Sequence, residues 1–318
     1  MQLGMIGLGR MGANIVRRLV KDGHECVVYD HNRDAVSAMA GEDNTTGASS
    51  LAELAEALPA PRVVWVMVPA GDITTGVIEQ LADALDKGDI VIDGGNSYYR
   101  DDIRHAKALS GKGIRLLDCG TSGGVWGRER GYCLMIGGDA DAVTHAEPIF
   151  ASVAPGVDAA ARTPGREGPI AQSEKGYLHC GPSGAGHFVK MVHNGIEYGI
   201  MEAYAEGFSI MRAKSPLHLD LEQISQIWRY GSVVRSWLLD LTADALRKNP
   251  TLEGLEAYVP DSGEGRWTVF EAIDLNVSAP VITESLIRRL RSREENNFTD
   301  RMLSVMRNEF GGHAVKKN

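Results

Sequence analysis

Short apolar runs alternate with longer amphipathic stretches through the first half of the chain. The apolar runs have the length of strands, and the amphipathic stretches have the periodicity of helices. Strands are predicted at Leu3–Ile6, Cys26–Tyr29, Val63–Met67, Ile90–Ile92, Ile114–Asp118 and Cys133–Ile136. Helices are predicted at Met11–Lys21, Arg33–Ala40, Leu51–Ala57, Ile73–Leu85, Asp101–Leu109 and Ala140–Ala151. This alternation predicts βαβ units that build a doubly wound, mostly parallel α/β sheet.

The pattern changes in the second half of the chain. Glycine and proline residues become dense over residues 159–186, which predicts a loop. The apolar spacing then predicts a long helix over 187–212 and further helices near 220–230, 232–248, 267–275, 280–293 and 299–309. No strand pattern recurs. We therefore predict a cofactor-binding α/β domain over residues 1–178 and an all-helical substrate and oligomerisation domain over residues 179–318.

A glycine-rich loop, GLGRMG at 7–12, follows the first predicted strand and opens the first helix. Its glycines allow a tight turn and close approach of a pyrophosphate to the helix N-terminus. Asp30 ends the second strand, where a carboxylate can bind ribose hydroxyls. Together they predict a dinucleotide site on a Rossmann-type domain, although the loop alone would also fit a plain turn. The expected cofactor contacts are Gly7, Leu8, Gly9, Arg10, Met11, Gly12, Asp30, His31, Val68, Ala70 and Asn96.

Polar residues recur at helical spacing near the start of the long helix. Lys190, His193, Asn194 and Glu197 are separated by three, four and seven residues, so they share one helix face. This face has the groups for acid–base chemistry, but a solvated face or a satisfied buried histidine would give the same spacing. A lysine acts as a base only where burial or a neighbouring cation lowers its pKa towards neutral.

Two loops that follow predicted strands could complete the same site. Ser122 and the N–H groups of Gly123 and Gly124 form a plausible carboxylate cradle. Asn96 lies in DGGNS at 93–97, which ends another strand, so its side chain could reach the same cleft. Taken singly, each of these loops would also fit an ordinary turn.

The charge balance limits the class of partner. The formal net charge is −9, so nucleic acid and an anionic membrane are not expected as partners. Four scattered cysteines lack metal-ligand spacing, which predicts reduced thiols and no metal site. The first residues lead directly into a strand without a signal-peptide pattern, and no apolar run approaches the length of a membrane span. A cytoplasmic location is therefore expected.

On these motifs the chain resembles the 6-phosphogluconate dehydrogenases, in a short form, within the wider β-hydroxyacid dehydrogenases. The loops at 7–12, 93–97 and 122–124 are similar across that superfamily, whereas HFVKMVHNGIEY at 187–198 is far more specific. The resemblance implies oxidation of 6-phosphogluconate by NAD or NADP, with loss of CO₂, to give ribulose 5-phosphate in the pentose phosphate pathway. No metal is required, because the 3-keto acid uses its own ketone as the electron sink.

The resemblance also implies roles for individual residues. Lys190 matches the general base and acid, and Glu197 matches the acid that protonates the enediol. Arg266 stands where the family usually has lysine, so it keeps the charge but offers a planar fork. The implied substrate-binding residues are Asn96, Ser122, Gly123, Gly124, His193, Asn194, Tyr198, Arg266, Thr268, Arg289, Arg307 and His313.

The end of the chain bears on its assembly. The segment from Arg307 to His313 resembles the family's terminal segment, which reaches into the partner subunit's site. A homodimer or higher homo-oligomer with the tail on a neighbouring subunit is therefore expected. Long members of the family carry a second helical segment that this chain lacks.

The resemblance predicts that NAD is preferred and that NADP remains possible. Members that use NADP typically show Asn-Arg-Thr after the second strand, whereas this chain has Asp30, His31 and Asn32 there. Arg33 could still reach a 2′-phosphate. Two other functions stay open: a β-hydroxyacid dehydrogenase of a non-phosphorylated acid, which would not need the arginines, and a non-catalytic nucleotide-binding protein, which would have no need for Lys190.

Overall fold

The computed structural model describes residues 1–295, 297–311 and 314–316. The chain divides into two compact units, Met1–His193 and Asn194–Asn318. Within the described residues, no helix is both long enough and apolar enough to cross a membrane.

The first unit is an α/β unit. Its strands are β1 (Gln2–Ile6), β2 (Glu25–Tyr29), β3 (Thr45–Gly47), β4 (Val63–Val66), β5 (Ile90–Asp93), β6 (Arg115–Ser122), β7 (Cys133–Gly138) and β8 (Tyr177–Gly181). Its helices are α1 (Arg10–Lys21), α2 (Arg33–Ala40), α3 (Leu51–Glu56), α4 (Asp72–Ala84), α5 (Tyr99–Ser110), α6 (Gly127–Arg130) and α7 (Ala140–Val153). The described strands form one sheet in the order β3-β2-β1-β4-β5-β6-β7-β8, in which the β6–β7 pair is antiparallel and the other pairs are parallel. The predicted α/β architecture is confirmed.

Helices cover both faces of the sheet, and a separate buried apolar cluster lies on each face. Along β4, Trp65 packs into one buried cluster with residues of α1, α2 and α7, whereas Val64 and Val66 pack into another with residues of α3, α4 and α5. Because successive side chains of a strand point to opposite faces, each buried strand supplies both layers. The carboxyl ends of the parallel strands are left for loops, and these loops carry the predicted motifs.

Two strands were not predicted from the sequence. The loop prediction for 159–186 is wrong over residues 177–181, where β8 pairs with β7, and β3 was missed between α2 and α3. β3 has three residues of Thr-Thr-Gly, and β8 contains His179, Cys180 and Gly181. Neither has the apolar run that marks a buried strand, because each lies at an edge of the sheet and gains its order from one neighbour.

The second unit is helical over its described residues. A continuous helix, α8 (Ala185–Ala213), begins in the first unit and continues into the second. The other helices are α9 (Leu221–Gly231), α10 (Trp237–Lys248), α11 (Glu264–Asp274), α12 (Pro280–Arg291) and α13 (Phe298–Gly311). The helix predicted over 232–248 starts later, because Ser236 caps it: its hydroxyl accepts the N–H of Leu239 at 3.1 Å.

Candidate active site

The glycine loop after β1 has the backbone geometry of an anion-binding turn. Gly7 has a φ of +95°, and a Cβ there would lie 2.3 Å from the carbonyl oxygen of Met67. A Cβ on Gly12 would lie 1.9 Å from the carbonyl oxygen of Gly7. Glycine is therefore required at both positions, and the loop leads directly into the N-terminus of α1, where the unpaired N–H groups favour a phosphate.

Asp30 follows β2 and is fixed by backbone groups on both sides. Its Oδ2 accepts the N–H of Leu8 at 2.6 Å, and its Oδ1 accepts the N–H of Asn32 at 2.8 Å. The exposed imidazole of His31 lies 2.9 Å from the same Oδ1. The carboxylate is thus held beside the glycine loop, which is the arrangement that fits the ribose of a dinucleotide.

The ends of β1, β4 and β5 converge at one edge of the sheet. The side chain of Val68 lies 3.1 Å from the position of a Cβ on Gly7, and the Val68 carbonyl lies 3.0 Å from that of a Cβ on Gly95. The exposed Asn96 and Ala70 lie in these loops. The other predicted cofactor residues of the glycine loop are exposed or half-buried at its rim: Gly9, Arg10 and Met11.

A buried network holds the loop of Asn96. Asp93 accepts the N–H of Gly95 at 3.0 Å and the hydroxyl of Ser97 at 2.7 Å. The His187 ring, 1% exposed, places Nδ1 2.7 Å from Oδ2 of Asp102 and Nε2 3.1 Å from the carbonyl oxygen of Gly95. His187 therefore ties this loop to the beginning of α8.

The proton on His187 is fixed by its surroundings. Burial lowers the pKa of His187, but the Asp102 carboxylate outweighs that effect and raises the pKa to about 10. Asp93, Asp102 and His187 are residue types that could hold a metal ion. However, both ring nitrogens already face an oxygen, so the geometry fits an ion pair with a second hydrogen bond.

The start of α8 is held by Asp118, in the middle of β6, where the pairing with β5 ends. One carboxylate oxygen accepts the N–H of Gly184 at 2.6 Å and the other accepts the N–H of His187 at 3.0 Å. A carboxylate at a helix N-terminus satisfies N–H groups that the helix itself cannot pair. The sequence predicted no role for Asp118, Asp102 or His187, since their partners are 66 to 92 residues distant along the chain.

Close packing of α8 on the sheet fixes the position of Lys190. A Cβ on Gly120 would lie 2.4 Å from Cβ of Lys190, and a Cβ on Gly186 would lie 2.5 Å from the carbonyl oxygen of Asp118. Lys190 is 8% exposed, so most of this residue is removed from water. The alternative of a solvated helix face therefore does not apply to this lysine.

The loop predicted to be a carboxylate cradle contains two glycines with positive φ values. Gly123 and Gly124 have φ values of +148° and +54°, and Ser122 ends the strand opposite Cys133 of β7. Residues with such positive φ values can turn their N–H groups towards a common point. Further along α8, His193, Asn194 and Glu197 are half-buried, and Tyr198 is buried.

Within the second unit, two of the predicted phosphate residues meet directly. The guanidinium of Arg289 stacks on the ring of Tyr198, 3.4 Å from its centroid. The Tyr198 hydroxyl lies 3.4 Å from Oγ of Ser262, and a Cβ on Gly265 would lie 2.4 Å from the Tyr198 ring. Arg266 is held by Asp261, with Nη2 2.6 Å from Oδ2. We call Tyr198, Asp261, Arg266, Arg289 and Arg293 the arginine cluster.

The remaining predicted substrate residues differ in their exposure. Thr268 is buried, and its hydroxyl donates to the carbonyl oxygen of Glu264 at 2.8 Å. Arg307 is exposed on α13. His313 lies outside the described residues, so its predicted role in substrate binding stays a prediction.

The fold and the motifs at the sheet edge define a Rossmann-type dinucleotide-dependent dehydrogenase with a helical second part. Residues 2–161 match the family model for the NAD-binding domain of 6-phosphogluconate dehydrogenase, and residues 186–317 match the model for its C-terminal domain. The chain therefore belongs to the 6-phosphogluconate dehydrogenase family, as the sequence motifs predicted.

Individual relatives agree with the family models. An NAD⁺-dependent, decarboxylating 6-phosphogluconate dehydrogenase of Haloferax volcanii is 41% identical, covering 100% of this chain and 99% of that protein. An NADP⁺-dependent one of Bacillus subtilis is 35% identical, covering 92% of this chain and 61% of that protein. The solved 6-phosphogluconate dehydrogenase of Plasmodium falciparum is 27% identical with a TM-score of 0.79, covering 100% of this chain and 66% of the other.

Proposed function

We propose that this protein catalyses the NAD(P)-dependent oxidative decarboxylation of 6-phosphogluconate to ribulose 5-phosphate and CO₂. The observation that carries the proposal is the 187–198 motif on α8, with Lys190 buried against Gly120 at the edge of a dinucleotide-binding sheet. The full-length similarity to a decarboxylating relative supports the same reaction.

The proposed roles of Lys190 and Glu197 are proton transfers to and from the substrate. The glycine loop at 7–12 and Asp30 would hold the nicotinamide cofactor, which would supply the acceptor for a hydride from C3 of the substrate. Lys190 takes the proton of the C3 hydroxyl, and as an ammonium it then polarises the new ketone. The C1 carboxylate leaves as CO₂ and its electron pair passes into the enediol. Lys190 returns its proton to the C3 oxygen as the enediol forms. Glu197 then protonates C2 of the substrate, which becomes C1 of ribulose 5-phosphate, while neutral Lys190 takes the proton of the C3 hydroxyl as that carbon becomes the C2 ketone of the product.

The proposed substrate contacts divide by chemical type. Ser122, Gly123, Gly124 and Asn96 would bind the acid end through hydroxyl, amide and backbone N–H groups. His193, Asn194 and Thr268 would bind along the sugar chain. Tyr198, Arg266, Arg289 and Arg307, with His313, would bind the phosphate. Arginines can bind a phosphate through bidentate hydrogen bonds, which suits this end of the substrate.

Cofactor preference depends on Asp30. Its carboxylate is pinned by the N–H groups of Leu8 and Asn32, so it cannot readily turn away from a ribose 2′-phosphate. A like charge at 4 Å costs about 1 kcal/mol in water and about 4 kcal/mol at an effective dielectric of 20. We therefore propose that NAD is preferred and that NADP use depends on the exposed Arg33.

Assembly and domain roles complete the proposal. Residues 1–178 would bind the cofactor, and residues 179–318 would bind substrate and a second subunit, with the tail completing the neighbour's site. Removal of residues 306–318 would then raise the KM for substrate far more than the KM for cofactor. A fully active monomer in analytical ultracentrifugation would contradict the shared site.

The direct test is turnover of 6-phosphogluconate with each nicotinamide cofactor, following reduced cofactor by absorbance and CO₂ by trapping. We expect one CO₂ per reduced cofactor. Reduction without CO₂ release, or preferential oxidation of unphosphorylated 3-hydroxy acids, would contradict the proposal.

A further inference from the structure

We propose that Asp261 is a positioning residue of the phosphate site and that Arg293 is an additional phosphate ligand held by the same carboxylate. The inference deepens the proposed function and rests on it. It adds two residues to those that the family resemblance implied, and it concerns the phosphate monoester end of the substrate.

Asp261 grips one edge of the Arg266 guanidinium. Nε and Nη2 of Arg266 lie 3.1 and 2.6 Å from the same oxygen, Oδ2. Two contacts to one acceptor fix the plane of the guanidinium and leave the N–H groups of Nη1 for an oxyanion. An unrestrained arginine would lose more side-chain entropy on binding a ligand.

The carboxylate is itself held in place as an anion. The Asp261 side chain is 4% exposed, and its Oδ1 accepts the N–H of Gly263 at 3.1 Å. Burial raises the pKa of Asp261, but the hydrogen bonds from Arg266 and Gly263 outweigh it and leave the pKa below its usual value. The ionised carboxylate can therefore attract both Arg266 and Arg293.

The backbone around Asp261 is anchored to the end of α12. The N–H of Val259 donates to Oγ of Ser292 at 3.0 Å, and Nη1 of Arg289 donates to the carbonyl oxygen of Pro260 at 2.9 Å. Ser262, the next residue, lies 3.4 Å from the Tyr198 hydroxyl. The same short segment thus contacts the side chains of two of the predicted phosphate residues, Tyr198 and Arg289.

Arg293 approaches the same carboxylate oxygen of Asp261 as Arg266 does. Its Nη2 lies 3.7 Å from Oδ2, and its Nε is buried without a hydrogen-bond partner among the described atoms. A buried cationic donor of this kind costs free energy unless a ligand or partner satisfies it. The three arginines outnumber Asp261 in this cluster, and a phosphate dianion would balance them.

The direction in which Asp261→Asn changes substrate binding distinguishes a positioning role of Asp261 from charge competition with the phosphate. If Asp261 only competed with the phosphate, its neutralisation would strengthen binding. If it positions Arg266 and Arg293, Asp261→Asn will weaken binding of 6-phosphogluconate, and we expect its KM to rise about 10-fold, the loss of one charge-assisted hydrogen bond. The kcat and the KM for NAD should stay near the wild-type values.

The experiment compares Asp261→Asn, Arg293→Met and the double variant Asp261→Asn/Arg266→Met with Arg266→Met alone. Steady-state kinetics are measured with 6-phosphogluconate and with gluconate, which lacks the phosphate. The matched control is Asp240→Asn, which removes a carboxylate that holds Nε of Arg229 at 2.7 Å in α9 and α10. Protection of each variant from thermal unfolding by 6-phosphogluconate reports binding without turnover.

We expect Asp261→Asn and Arg293→Met to show a higher KM and less thermal protection with the phosphorylated substrate only. We expect Asp261→Asn to add little to either effect in the Arg266→Met background. A lower or unchanged KM in Asp261→Asn, or equal losses with gluconate, would overturn the inference. If Asp261→Asn does not fold, Arg293→Met decides, since an unchanged KM there overturns it. A wild-type protein protected by 6-phosphogluconate but unable to oxidise it would instead contradict the proposed function.

Discussion

The edge of the sheet and the arginine cluster position their polar side chains in two different ways. At the sheet edge, glycines at positions 7, 12 and 120 leave no room for a Cβ, and buried carboxylates accept backbone N–H groups. In the arginine cluster, long side chains are held by one buried aspartate and one tyrosine ring. The first region is fixed mainly by its backbone, whereas the second is fixed mainly by contacts between side chains.

This difference has a physical consequence for the reaction. Hydride and proton transfer need reacting groups aligned closely, so backbone fixation suits Lys190 and the cofactor loop. A phosphate is bound by charge and by several donors, so tethered arginines can follow it with small movements. Substitutions at the sheet edge should therefore reduce kcat, and substitutions in the arginine cluster should raise the KM for substrate.

The strongest test of this contrast is Lys190→Met. Removal of a general base or acid costs roughly 10²–10⁴-fold in rate, and more if both steps use it. We expect kcat to fall by at least that factor while the Kd for NAD, measured by fluorescence titration, stays unchanged. Lys107→Met, at an exposed position of α5, is the control. Near-normal turnover would remove Lys190 from the mechanism.

The buried His187–Asp102 pair should dominate the stability of the sheet edge. Breaking one partner of a buried pair costs about 3–5 kcal/mol, so His187→Gln should lower the free energy of unfolding by that amount at pH 6. The folded-state pKa of His187, about 10, is raised above the unfolded value of about 6.5. Its stabilisation is therefore complete below pH 6.5 and is lost as the pH rises through about 10.

Urea unfolding from pH 6 to pH 10 measures this effect. The difference between wild type and His187→Gln should shrink steadily as the pH rises. His145→Gln, at a half-buried position of α7, should show no such trend. A difference that is constant with pH would mean that shape rather than charge makes the His187 contact.

The sequence predicted features that depend on local pattern. The alternation of apolar runs placed β1, β2 and β4 to within a residue or so at each end, and the glycine spacing marked the cofactor loop. It missed β3 and β8, whose short polar sequences form strands because a neighbouring strand is present. Tertiary context overrides weak local preference at such edges.

The same limit applies to the site. Lys190 could be found by its helical spacing, but the contacts that position it come from Gly120 and Asp118, far away in the sequence. Asp261 was not predicted to be a functional residue. The sequence indicated that Arg266 binds phosphate, but it did not show that a carboxylate holds the guanidinium of Arg266. A single sequence shows which residue types could perform the chemistry. Contacts between residues that are far apart in the sequence are seen only in the folded chain.

Arg289→Met tests the arginine cluster with a moderate expected effect. The variant loses the stacking on Tyr198 and one cation, and a charged hydrogen bond contributes about 1.5–3 kcal/mol. We expect the KM for 6-phosphogluconate to rise about 10- to 100-fold with kcat little changed. Arg288→Met, one residue earlier and paired with Glu202, is the matched control. A fall in kcat of the same size as the rise in KM would contradict the division between the two regions.

The smallest expected effect concerns Asp30, which belongs to the rigid region but acts by charge. If its carboxylate repels a 2′-phosphate, wild type should favour NAD over NADP in kcat/KM by at least about 5-fold, since about 1 kcal/mol is the contribution of one like charge at 4 Å in water. Asp30→Asn keeps the shape and removes the charge, so this ratio should shrink. Both cofactors must be compared at one pH and ionic strength, because exposed charges are screened by salt.

Asp34→Asn, at the exposed start of α2, is the control for Asp30→Asn, since it removes a nearby negative charge that is not pinned to the glycine loop. If it shrinks the ratio equally, the general field of the region decides cofactor choice rather than Asp30. A wild-type ratio in favour of NADP would show that Arg33 controls the pocket. Retention of the full NAD preference in Asp30→Asn would mean that the hydrogen bonds of Asp30, which asparagine partly keeps, matter more than its charge. Cofactor choice would then depend on geometry more than on charge, as we expect for the other contacts at the sheet edge.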